Sequence, residues 1–154
     1  MDDKTTKSNF EIPKFIDPNI KFKKKTVENR ITLYEYNNVK LPLPTEIEIS
    51  ESGTCNRKCS FCPRSAPDFE DIKTFISTDL VVKVANELAV LDYNGVIRFS
   101  GFVEPLLDKK IFNHIKTFKT LCPNSRVELV TNGDPLNDKR LKKLFDFGLD
   151  KILI

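Results

Sequence analysis

Glu46-Ile-Glu-Ile-Ser50-Glu-Ser-Gly-Thr-Cys55-Asn-Arg-Lys-Cys59-Ser-Phe-Cys62 joins an alternating apolar run to three cysteines within eight residues. The alternation predicts a strand. The cysteines therefore follow on the loop leaving its C-terminal end, where α/β proteins place chemistry. Three thiolates at C-x3-C-x2-C spacing can turn toward one iron–sulfur cluster and leave one iron without a protein ligand. With four cysteines in 154 residues, chance produces that spacing with a probability on the order of a few in a thousand. A closed structural zinc site normally takes four Cys or His ligands, whereas Cys122 and the single histidine, His114, lie far downstream. An odd number of thiols also argues against a disulfide framework. Zinc and unligated thiols stay open as alternatives to the cluster.

Beyond residue 45 the pattern alternates strand and helix, as a parallel sheet covered by helices requires. Gly95-Val-Ile-Arg-Phe-Ser100 and Val127-Glu-Leu-Val130 are the next strands. Ser77 or Thr78 is placed to cap a helix with Leu80, Val84, Leu88 and Leu91 on one face. Asp108 is placed to cap a second helix that buries Ile111, Phe112, Ile115 and Phe118. A third follows Asn137, with Leu141, Leu144 and Phe145 inward and Gly148 as its stop. Lys151-Ile-Leu-Ile154 reads as the start of a fourth buried strand. An open apolar strand at a sheet edge predicts a chain cut short, one that aggregates by itself.

The residues so far resemble the radical S-adenosylmethionine (radical SAM) enzymes, whose cysteine motif has this spacing and an aromatic before its last cysteine, here Phe61. Gly101-Phe-Val-Glu104-Pro-Leu-Leu107 is similar to the family's Gly-Gly-Glu segment, and Thr131-Asn-Gly133 is also frequent there. One departure is Val103, where the family usually has a smaller residue. The resemblance implies an α/β fold, a partial parallel (βα) barrel covering residues 44–154 and stopping after the start of its fourth strand. It further implies that Cys55, Cys59 and Cys62 bind three irons of a [4Fe-4S] cluster whose fourth iron chelates S-adenosylmethionine. Phe61 would sit by the adenine, Glu104 would accept from the cofactor ammonium, and Gly101 would let the backbone approach closely. Asn132 would complete the cofactor site. The implied activity is reductive cleavage to a 5′-deoxyadenosyl radical that abstracts hydrogen from a substrate, fed by a low-potential donor such as a flavodoxin or ferredoxin. Cys62-Pro-Arg64 is similar to a branch that modifies peptides, which makes a peptide the first substrate class to consider. The competing class is an iron–sulfur or zinc electron-transfer module without radical chemistry.

Each of these residues also has a plainer reading. Phe61 would pack on the first helix, Glu104 would serve as a turn residue before Pro105, and Asn132-Gly133 would form only a turn. Arg57, Lys58 and Arg64 would offset the thiolate charge or be solvated. His114 reads as half-exposed structure and Cys122 as a semi-buried filler.

Composition points to a soluble domain of the reducing cytoplasm, because 31% of residues are charged and no apolar stretch approaches the roughly 18 residues that a membrane helix needs. The opening Met1-Asp-Asp-Lys4 lacks the apolar core of a secretory signal. A net charge of +3 is too mild to call for nucleic acid, and the Lys23–Lys25 run reads as a solvated arm. Residues 1–43 form an expected extension, partly disordered, in which Ile31–Tyr36 is one strand of a hairpin.

Overall fold

In the computed structural model, residues 31–154 are described. The expected disorder of the extension and the Lys23–Lys25 arm fall outside these residues. Two strands, β1 (Leu33–Tyr36) and β2 (Val39–Pro42), pair antiparallel as the expected hairpin. Asn37 and Asn38 make its two-residue turn at φ of 49° and 63°, the left-handed values that a tight hairpin turn needs and that asparagine tolerates.

Next come β3 (Glu46–Ile49), the short β4 (Ser52–Gly53), β5 (Ile72–Phe75) and α1 (Thr78–Val90). These are followed by β6 (Val96–Phe99), α2 (Ile111–Leu121), β7 (Arg126–Val130), α3 (Asp138–Asp146) and β8 (Lys151–Leu153). Strands β3, β6, β7 and β8 form one parallel sheet in that order, so each strand neighbours the next strand–helix unit, as in an arc of a (βα) barrel. The small β4–β5 pair is antiparallel and stands apart.

Period-2 alternation decides what each face of the sheet carries. Ile97, Phe99, Val127 and Leu129 are fully buried against the helices, with Ile47 and Ile49 packed on that core. On the other face the register aligns Glu48, Arg98, Glu128 and Lys151 across the four strands, a row of alternating charge. Most parallel sheets are apolar on both faces, so this row marks a face that meets polar contents.

The helices begin where their caps lie. Ser77 Oγ accepts from the Leu80 amide at 3.2 Å, and Asn137 Oδ1 accepts from the Arg140 amide at 2.9 Å. Each such cap contributes about 1 kcal/mol. Asp108 is not the cap expected of it: the residue before α2 is Lys110, which makes no side-chain cap bond, and Asp108 Oδ1 instead accepts from the Lys110 amide at 2.8 Å in the preceding turn. Gly148, at φ +99°, ends α3. Two expected faces are rotated. In α1 the buried residues are Val81, Ala85 and Leu88, while Leu80 is exposed. In α3 Leu144 is buried and Phe145 is 46% exposed.

Phe118 meets Phe99 edge-on, with ring centroids 5.9 Å apart, and both are fully buried. Phe118→Ala should therefore cost about 3–5 kcal/mol, whereas Phe145→Ala should cost under about 1 kcal/mol, as read by urea unfolding. Equal costs would contradict this packing.

Candidate functional site

The C-terminal ends of β3, β6 and β7 open into a cleft of about 380 Å³. Cys55, Cys59, Phe61, Cys62, Gly101, Glu104 and Asn132, every site residue expected from the sequence, line this one cleft. A second depression, of about 350 Å³, lies at the opposite ends of the strands and offers neither thiol nor carboxylate.

The cysteine loop closes on itself and on its neighbours. The Cys62 amide donates to the Cys59 carbonyl at 2.9 Å, and the Arg57 amide points at Cys55 Sγ at 3.4 Å. All three thiols are half-buried and free. Among the described residues, the one group of three or more His, Cys, Asp and Glu side chains with ligand atoms all within 4.8 Å of one another lies elsewhere, so at least one pair of loop sulfurs is farther apart than that. Two thiolates bound to one zinc sit only about 3.8 Å apart, given a Zn–S distance of about 2.3 Å. A cluster spreads its thiolates farther and fits the spacing better.

Glu104 follows β6 and is 1% exposed. Its Oε1 accepts from the Leu106 amide at 3.0 Å and from Thr131 Oγ1 at 2.7 Å, while Oε2 accepts from the Asn132 amide at 2.8 Å. Glu104 is thus a turn residue as well as a cleft residue, because it caps the 3-10 turn Pro105–Leu107. A carboxylate has about four acceptor positions, so one on Oε2 remains for a cationic donor in the cleft.

Gly101 has φ +112°, and a Cβ there would collide with Ser50 Oγ. Both facts require glycine at this point. Phe61 is 90% exposed, which removes the reading that packs it on the first helix. Its bare ring stands at the rim of the cleft, where a planar group can stack on it. Val103 also lines the cleft.

Asn132 does more than turn the chain. Its Nδ2 donates to Asn56 Oδ1 at 2.8 Å and points at Cys55 Sγ at 3.7 Å, while its Oδ1 accepts from the Asp134 amide at 2.9 Å. Asp134 returns the connection. It accepts from Asn56 Nδ2 at 2.9 Å and from Arg57 Nε at 2.7 Å, and Arg57 Nη2 takes its other oxygen. The cysteine loop is therefore clasped to the loop after β7 by a forked guanidinium–carboxylate pair. That pair holds the Asp134 carboxyl below the usual carboxylate range and raises Arg57.

Arg64, expected to be a charge offset or solvated, is 2% exposed. Its Nη1 donates to the Gly53 carbonyl at 3.0 Å and the Phe102 carbonyl at 3.1 Å, Asp71 pairs with it, and its guanidinium lies 4.9 Å from the Phe69 ring centroid. It ties the cysteine loop to β4 and to the loop after β6. A cysteine-rich loop with three basic residues gave no hint of which one would turn inward.

Below the cleft, Arg98 donates to Glu128 Oε2 from Nε at 3.1 Å and Nη2 at 2.8 Å, and it also pairs with Glu46. Burial pushes Glu128 up, but the Arg98 hydrogen bonds, with Arg126 and Lys151 nearby, win and hold it below its ordinary value. His114, expected half-exposed, and Cys122, expected semi-buried, are both buried; the Cys122 thiol points at the Ala85 carbonyl at 3.5 Å and burial raises its pKa.

Residues 49–154 match the family model of the radical SAM superfamily. The chain belongs to that superfamily. Members of the radical SAM superfamily bind a [4Fe-4S] cluster and S-adenosylmethionine. The S-adenosyl-L-methionine-dependent 2-deoxy-scyllo-inosamine dehydrogenase of Niallia circulans is 32% identical over 108 residues, which cover 70% of this chain and 43% of that protein. The crystal structure of BtrN in complex with AdoMet and 2-DOIA superposes with a TM-score of 0.69 at 31% identity, covering 73% of this chain and 45% of that one. BtrN in an open conformation gives a TM-score of 0.66 at the same identity, covering 73% of this chain and 50% of that one. The chain spans about half the length of these relatives or less. Among the described residues no helix is long and apolar enough to cross a membrane.

Because the Asp134 carboxyl is held down by Arg57, the clasp should persist as pH falls and open only below the ordinary carboxylate range. Arg57→Ala should move the Asp134 midpoint upward in an NMR titration and speed amide exchange across Cys55–Cys62. An unmoved midpoint would show that the pair does not form in solution.

Proposed function

We propose that residues 44–154 are the cofactor-binding part of the core domain of a radical SAM enzyme, with residues 1–43 as an extension. In this reading Cys55, Cys59 and Cys62 hold a [4Fe-4S] cluster, and Glu104, Gly101, Asn132 and Phe61 hold S-adenosylmethionine. The observation that carries it is the meeting of three thiols with a buried carboxylate that keeps one free acceptor position, all in one cleft at the C-terminal strand ends. When bound, the cluster and cofactor supply reductive cleavage of a sulfonium C–S bond and a radical able to abstract hydrogen.

The chain's own residues do the rest by placement. Glu104 receives the cofactor ammonium on Oε2, a charge-assisted bond roughly twice as strong as a neutral one. Gly101 lets the backbone pass close to it, and Phe61 offers a stacking face to the adenine. Asn132 fixes the Cys55 side of the loop through Asn56.

For the substrate we favour a small hydroxylated amine over the peptide that Cys62-Pro-Arg64 suggests. The 2-deoxy-scyllo-inosamine dehydrogenase activity of the relative supports this class, as does the charged row of Glu48, Arg98, Glu128 and Lys151 beneath the cleft. The electron comes from a flavodoxin-like or ferredoxin-like donor. Four cysteines without a disulfide support a reducing compartment, and the cytoplasm is the compartment we favour.

Anaerobic reconstitution should load about four iron and four sulfide per chain, and the reduced protein should give an EPR signal that S-adenosylmethionine perturbs. Cys59→Ala should abolish loading, and Glu104→Gln should weaken the cofactor effect about tenfold or more. One tight zinc with no iron would overturn the cluster. A cluster indifferent to S-adenosylmethionine would point to the electron-transfer class instead.

A further inference from the structure

Away from the cleft, on the helix-covered side of the sheet, three ionisable side chains are buried together. Glu51 follows β3, Asp108 precedes α2 and His114 lies on α2; Glu51 and His114 are fully buried and Asp108 is 4% exposed. His114 Nδ1 stands 3.0 and 3.2 Å from the two Glu51 oxygens and 3.9 Å from Asp108 Oδ2. Asp108 Oδ1 is used by the Lys110 amide, but Oδ2 is buried without a hydrogen-bond partner among the described residues.

A buried acceptor left unpaired costs about 1–3 kcal/mol, more when charged. Were both carboxyls ionised beside a neutral imidazole, two negative charges would lie uncompensated in a dry layer, and a buried charge needs a partner. Burial pushes the Glu51 carboxyl up, His114 pulls it down, and Asp108 pushes it up again. Either two protons or one divalent cation neutralises the trio.

The geometry points to the cation. Donors about 2.1 Å from a common ion sit about 3.0–4.0 Å apart, depending on the angle between them, which covers the distances from His114 Nδ1 to the Glu51 oxygens and to Asp108 Oδ2; all three side chains offer ligand atoms within 4.8 Å of one another. Both Glu51 oxygens face Nδ1, so one bidentate glutamate, Asp108 Oδ2 and His114 Nδ1 make four donors. On the other side of the ring, Nε2 lies 3.4 Å from Thr78 Oγ1. A ring N–H donated to that hydroxyl leaves Nδ1 as the lone pair, the outer hydrogen bond that metal-bound histidines usually make. A proton-only arrangement needs both a hydrogen on Nδ1 for Glu51 and a second proton shared between the Glu51 and Asp108 carboxyls.

We propose that Glu51, Asp108 and His114 form a binding site for a divalent cation of the zinc or manganese class, distinct from the thiol cleft. Its donors are one nitrogen and carboxylate oxygens, which suit those ions and not copper(I) or an iron–sulfur cluster. The ion ties the end of β3 to α2, four residues before Cys55, so it anchors the root of the cysteine loop.

The test uses the full chain carrying Cys55→Ser, Cys59→Ser and Cys62→Ser, so that the loop thiols cannot take the probe. Cobalt(II) should bind at one equivalent with weak visible bands and no thiolate charge-transfer band, and zinc should raise the Tm. Asp108→Asn keeps the acceptor for the Lys110 amide while removing the charge, and should weaken zinc binding at least tenfold and erase the Tm gain. His114→Gln should do the same. No binding by the thiol-free chain, or binding and Tm that ignore Asp108→Asn, would overturn the site and leave a proton-sharing structural trio.

Discussion

The arrangement of the cleft depends on the buried carboxylate of Glu104. A carboxylate that is 1% exposed is tolerable only if donors replace the water it has lost, and here three do so: the Leu106 amide, Thr131 Oγ1 and the Asn132 amide. These donors belong to two loops, so the cost of stranding the charge locks the loop after β6 to the loop after β7. The Glu104 amide in turn donates to the Thr54 carbonyl at 3.0 Å, next to Cys55. One residue, through its side chain and its amide, thus ties together all three segments that line the cleft.

Two cations extend that constraint to the cysteine loop. Arg64 is buried and bridges the Gly53 and Phe102 carbonyls, which fixes the base of the loop against two neighbouring elements. Arg57 is half exposed and forks onto Asp134, which fixes its crest. The two differ in energetic weight. A solvent-facing pair contributes little to global stability and mainly selects a loop geometry, whereas stranding a buried guanidinium would cost the fold itself.

Much of this was legible because the signals are local. Strand alternation at Glu46–Ile49, Val96–Phe99 and Arg126–Val130 marks the sheet, and Ser77, Asn137 and Gly148 mark helix ends through their own backbone chemistry. The cleft residues were legible as motifs, since the cysteine spacing, the Gly-x-x-Glu segment and Thr-Asn-Gly each sit directly after a strand. What depends on contacts between distant residues could not be read that way. Leu80 and Phe145 have apolar side chains at helical spacing, yet the buried faces run through Val81, Ala85 and Leu88 and through Leu144 instead. His114 reads as a border residue until Glu51, 63 positions earlier, is brought against it. Arg64 looks like Arg57 in sequence, and only the carbonyls of Gly53 and Phe102 distinguish them.

The central claim is that three loop thiols leave one iron of a bound cluster open to a cofactor held by Glu104. Mössbauer spectroscopy of the 57Fe-reconstituted chain, with and without S-adenosylmethionine, tests it most directly. One iron should be distinct from the other three and should alone shift when the cofactor is added. Four equivalent irons, or a spectrum unchanged by the cofactor, would contradict the account.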